Sequence, residues 1–203
     1  QAIAGSGGMV AGSAAVATTS TSSTTLAKLE SGDGTHKIDV GSFTLKAEHT
    51  SRFNGEVDSL QASIVGASGA VATHSVNSTV TAEVGKNAQV LAQHVNIDAN
   101  NLIDKPWLGS DGDSADWNIL SGSGGLLNGP AGHSETHITQ DTTASIGDSA
   151  VVHVMAPISG EGSFTMDAYN KIAAHDKTKL DSGGAIAIAL SDSMIYVDRS
   201  DAD

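Results

Sequence analysis

Self-similarity along the chain constrains its fold more than any single motif, because a repeat that cannot bury its own apolar face must stack on its neighbours. Segment 80–92, VTAEVGKNAQVLA, aligns with 142–154, TTASIGDSAVVHV, at an offset of 62. Identities fall at Thr81/Thr143, Ala82/Ala144, Gly85/Gly147, Ala88/Ala150 and Val90/Val152. A second alignment places Gly5-Ser6-Gly7-Gly8 on Gly122-Ser123-Gly124-Gly125 at an offset of 117, and continues through Gly12/Gly129, Thr19/Thr136, Thr25/Thr142 and Ala27/Ala144. A third sets GSFTLKA at 41–47 on GSFTMDA at 162–168, an offset of 121. Order is kept while the offset drifts by four, so a four-residue insertion separates the two blocks. Such insertions fall in connections, not in strands.

Within each unit the apolar period is two. Ala82 and Val84 share one face, with Thr81 and Glu83 on the other; Ala88, Val90 and Ala92 continue the pattern, as do Val95, Ile97 and Ala99. The later copy has Ala144 and Ile146, then Ala150, Val152 and Val154. Alternation of this kind, broken by Gly, Asn or Asp, marks half-buried strands, and no sustained 3.6-residue stripe competes with it. Hydrophobic residues make up 39% of the chain but aromatics only 3%, which suits thin regular layers better than one bulky core. The pattern predicts an all-β fold, a β-solenoid in which coils stack about 4.8 Å apart. Gly is expected to mark the corners, and if one coil takes about 20 residues, roughly ten coils make a rod about 50 Å long.

Residues 1–203 are read as one solenoid segment with a single irregular insertion over 100–121, which holds Trp107, Trp117, Pro106 and four Asp. Loops on a rigid scaffold carry function more often than the scaffold does. In that insertion Asp111, Asp113 and Asp116 bring three carboxylates within six residues, a spacing of hard oxygen ligands that suits calcium. An EF-hand is excluded by the missing twelfth-position Glu and flanking helices, and the nonapeptide calcium repeat by the lack of recurrence. Asp198, Asp201 and Asp203 form a second, weaker cluster. The eight His residues are scattered and are expected at the surface; His133 and His137 on one strand face lie about 13 Å apart, too far to share an ion.

A formal charge of −13 without a basic, aromatic-interleaved stripe argues against nucleic acid. The absence of cysteine removes disulfides, zinc thiolates and thiol nucleophiles together. No apolar run reaches the length of a membrane span. No G-x-S-x-G elbow and no phosphate loop is present. Neither end carries a capping helix or a Pro- and Lys-rich blocker, so the segment is expected to stand within a longer molecule, or to stack end to end with identical copies.

Coils of the form T-A-x-[IV]-G-x-x-A-x-V at 81–90 and 143–152, with G-S-F-T and with G-A-[VI]-A at 69–72 and 184–187, resemble giant bacterial surface proteins. These are the filamentous-haemagglutinin-like and leukotoxin-type filamentous adhesins, and the resemblance covers most of the chain outside 100–121. It implies a right-handed parallel β-helix, a secreted or cell-surface location, and a structural or adhesive stalk that is not catalytic; calcium, read from the spacing of Asp111, Asp113 and Asp116, is the one cofactor the residues themselves suggest. Its partners would be neighbouring coils, identical copies, and a host or cell-surface receptor or glycan. A polysaccharide-active β-helix, such as a lyase, an epimerase or a phage tail-spike, remains the alternative.

Overall fold

Alternating Ala, Val, Ser and Thr produce strands here because small and β-branched side chains pack well on a pleated surface stacked on copies of itself. The computed structural model describes residues 1–106, 117–156, 158 and 160–202, with side chains described up to Asp198. The chain is all-β, with no helix among the described residues and every strand pairing parallel. Two sheets form. The first stacks β1 (Ala2–Leu29), β3 (Val57–Val84), then β5 (Ile119–Gly124) with β6 (Leu127–Ile146), then β9 (Thr178–Gly183), β10 (Ile186–Ala187) and β11 (Leu190–Ala202). The second stacks β2 (Lys37–Arg52), β4 (Gln89–Lys105), then β7 (Val151–Val154) with β8 (Ser163–Ala174). This is a parallel β-solenoid.

The three repeat offsets are the stacking registers. Ala82 lies beside Ala144 and Val84 beside Ile146, at an offset of 62. Gly5 reaches Gly122 through Leu60, by steps of 55 and 62 that together make 117. Phe43 reaches Phe164 through Val95, by steps of 52 and 69 that make 121. Odd coils therefore resemble each other across an intervening even one. The drift of four is the balance of two changes: the break at 155–162 between β7 and β8, where β4 continues unbroken, raises the step from 62 to 69, and the longer corner at 30–36, against 85–88, lowers it from 55 to 52. Both lie outside strands.

Coil size departs from the expectation. One coil takes 55–62 residues along the first sheet, not about 20, so the described chain makes fewer than four turns. Its height is about 15 Å at the usual inter-strand spacing, not 50 Å. Glycine alone does not mark the corners. Gly12, Gly69 and Gly129 sit inside strands, where a stacked parallel ladder tolerates them. The true corners need special backbone. Asn87 and Ser149, one coil apart, both have positive φ (56° and 59°), and Gly125 at φ 158° has no room for a Cβ beside the Ser63 carbonyl.

The inward faces of β3, β4 and β6 are closed. Val80, Ala82, Val84, Val90, Ala92, Ile97 and Ala99 form one apolar cluster, and Val76, Ile103 and Ile138 another. Glu83 points outward, as the alternation requires. Of the alternating residues expected to face inward, Ala82, Val84 and Ala144 are buried, but Ile146 is 37% exposed because β11 pairs β6 only as far as Thr142. Polar residues cross the interior as well: Ser23 bonds His49, Ser78 donates to Asn101, and Thr142 donates to Asn170, one bridge between the sheets in each of three coils.

Candidate functional site

The expected insertion is shorter than 100–121: β4 runs through Lys105 and β5 begins at Ile119. Asp111, Asp113 and Asp116 lie outside the described residues, as do Trp107, Asp203 and the Asp201 side chain. Both feet of the excursion are fastened. Asn54 Nδ2 donates to the Pro106 carbonyl (3.1 Å), and Asn118 Nδ2 donates to Asn54 Oδ1 (2.6 Å). Asn118 Oδ1 also accepts from the Lys177 amide (3.0 Å), binding the foot to the next coil. Lys179 sits 4.2 Å above the Trp117 ring, a cation–π contact.

Directly inside this foot is a buried ionic centre that sequence reasoning did not find. Lys105 Nζ pairs with Asp176 at 3.0 Å and donates to Thr136 Oγ1 at 2.9 Å, and Ser134 donates to the same carboxylate. The two charged side chains are 0% and 2% exposed. Burial pulls the Lys105 ammonium below its ordinary pKa, and Asp176 opposes that shift. His74, stacked against Thr136 on the neighbouring strand, is fully buried, tilted against Phe53, and without a hydrogen-bond partner for either ring nitrogen. Its pKa is pushed down to about 4 by burial first, then by Lys105. The imidazole is therefore neutral at pH 7. His74 was expected at the surface with the other histidines and is instead buried, because it falls on the inward face of β3; nothing in the sequence pairs Lys105 with a residue 71 positions later.

A second cluster lies outside, where β6 meets β11. His133, Glu135 and His137 project from β6 and share that face with Asp192, Tyr196 and Asp198 of the coil above. His133 Nδ1–H donates to Asp192 (3.1 Å), and His137 Nε2–H donates to Glu135 (2.7 Å). Asp198 is 4.0 Å from the other His137 nitrogen, and the Tyr196 ring stacks on His137 at 4.7 Å. The His137 bond holds the Glu135 carboxyl below its usual range. Glu135 lies between the two histidines whose separation had seemed to isolate them. Among the described residues no group of three or more His, Cys, Asp or Glu is placed to hold a metal ion. The arrangement can accept and donate protons along one exposed strand face, and Tyr196 adds an aromatic surface. A small-residue recess of about 330 Å³, floored by Gly69 and Ala131, adjoins His133 and Asp192.

The other histidines divide. His49 points inward to Ser23, whereas His36, His94 and His153 are exposed as expected. Among the described residues no helix is long and apolar enough to cross a membrane. Comparison with protein-family models, with curated proteins and with solved structures returned no match.

Proposed function

We propose that the chain is a non-catalytic stalk segment of a secreted bacterial surface filament, structural or adhesive in role. The observation that carries this reading is the ladder itself: β1 pairs β3 from Ala2 to Leu29, and β3 pairs β6 from Val65 to Val84, in parallel register over small side chains. Such a stack is stiff, is extended by adding coils, and exposes long faces without needing a pocket. The acidic balance keeps neighbouring filaments apart except where charge is locally absent. Calcium held by Asp111, Asp113 and Asp116 is part of the same proposal, as a clamp on the excursion anchored at Asn54 and Asn118. The test is surface labelling of producing cells with antibody against residues 1–203, together with binding of the purified chain to host cells and immobilised glycans. Labelling and saturable binding support the stalk. A chain retained inside the cell refutes it.

A polysaccharide-active role is the second reading, favoured by the His133–Asp192 and His137–Glu135 pairs beside Tyr196. Turnover of neutral or uronate polysaccharides that is lost in His133→Ala would replace the stalk reading with this one.

A further inference from the structure

One corner of the solenoid is apolar on its outside in every coil. Met9 and Val10, Ile64 and Val65, and Leu126 and Leu127 occupy corresponding places in three successive coils, with Val10, Val65, Leu127 and Ile186 in one column. Ile188 and Leu190 continue the strip in the last coil, and all nine side chains are between 40% and 79% exposed. The interior of the stack does not need them, since the inward positions of the same strands are filled by other residues. Their exposed area is on the order of 900 Å², beyond the few hundred Å² usual for a monomer's largest patch and comparable with the roughly 800 Å² per partner of a stable interface.

Charge is withdrawn from this corner. Residues 1–27, 59–82, 117–134 and 182–191 contain no Asp, Glu, Lys or Arg, in a chain of net charge −13. These windows are the ones that carry the strip in each coil. Beside it runs a shallow groove of about 640 Å³ bordered by Gly5, Gly122, Gly124, Gly183 and Leu60, with one charge at its edge, Asp181, which Lys179 pairs at 3.3 Å. Packing does not demand several of these glycines. A Cβ on Gly5 or Gly124 would meet only ordinary contacts at 3.7 and 3.9 Å, one on Gly183 would meet nothing within 4 Å, and none of the three has positive φ. Glycine inside a strand costs stability, so an open floor at these positions points to something that lies on it.

We propose that this strip and groove are a lateral interface with a second copy of the same chain. A ridge next to a groove is self-complementary under a two-fold axis: the ridge of each copy seats in the groove of the other. The uncharged windows let two copies of −13 approach here. Association is side by side, so it stands whether or not the stalk reading holds, and it bundles solenoids instead of lengthening them.

The experiment uses the lack of native cysteine, which makes one introduced thiol unique. Sedimentation equilibrium of the full chain should show a reversible shift from one chain to two with rising concentration. Ala62→Cys, exposed between groove and ridge where the two-fold axis must pass, should cross-link on oxidation, and Thr79→Cys, outward on the same strand but away from the strip, should not. Gly124→Leu, which fills the groove, should keep the circular dichroism and melting of the parent and lose the dimer. If Gly124→Leu unfolds, Leu127→Lys is the second variant, since its outward side chain leaves the interior untouched. A chain that stays monomeric, equal cross-linking at both thiols, or a dimer undiminished in a folded Gly124→Leu or Leu127→Lys would each overturn the proposal. So would a monomer whose strip instead partitions onto lipid vesicles.

Discussion

Replacing His74 by Leu tests whether the buried centre is as dry as the structure makes it. In the folded chain burial and Lys105 hold the imidazole pKa at about 4, against 6.5 for a free histidine. The sign follows from proton binding. Above pH 6.5 neither state binds the proton and the group contributes nothing. As pH falls below 6.5 the unfolded chain takes it up and the folded chain does not, so folding weakens until about pH 4. A difference of about 2.5 units at 1.36 kcal/mol per unit is worth about 3 kcal/mol. Denaturant melts of parent and His74→Leu at pH 7.5, 6, 5 and 4 isolate this contribution, because the carboxylates titrate in both proteins alike. Denaturant also keeps the chain soluble near its pI of about 4.7. At pH 7.5 the two should be similar, since Leu gives up no hydrogen bond that His74 makes. By pH 4 the parent should have lost about 3 kcal/mol more than the variant. Parallel stability profiles would refute the reasoning, and would mean that water or a partner reaches the ring.

The ion pair next to it should behave as a unit. Lys105→Met or Asp176→Leu alone should cost about 3–5 kcal/mol by leaving one buried charge uncompensated, while the double variant should recover much of that loss in chemical denaturation. In the apolar cluster, Val84→Asp should cost several kcal/mol, and Glu83→Ala, one residue away on the outer face, less than about 1 kcal/mol; equal effects in thermal melts would mean the register is wrong. Calcium should raise the melting temperature of the parent chain, and Asp113→Ala should abolish the gain; a flat titration removes calcium from the proposal.

Local alternation and self-similarity were enough to indicate an all-β stack of coils and to place Ala82, Val84 and Ala144 inward at equivalent positions of neighbouring coils, while His74 is buried and Ile146 exposed, each against expectation. The offsets of 62, 117 and 121 are registers because like residues in adjacent or alternate layers share one environment, and that environment is written into composition at each position. Coil length was not legible from glycine, since a glycine in a stacked strand and one at a corner look alike until the backbone is seen. Gly12 and Gly125 differ in φ and in what a Cβ would strike, not in their neighbours along the chain. The functional features were hidden for a related reason. Lys105 with Asp176, and His133 with Asp192, are paired by the closing of one coil upon another. That closure depends on the lengths of corners and excursions, which short-range sequence does not encode. The apolar outer corner was hidden in the same way: Val10, Val65, Leu127 and Ile186 are unremarkable singly, and become a surface only when coils of 55, 62 and 59 residues set them in one column.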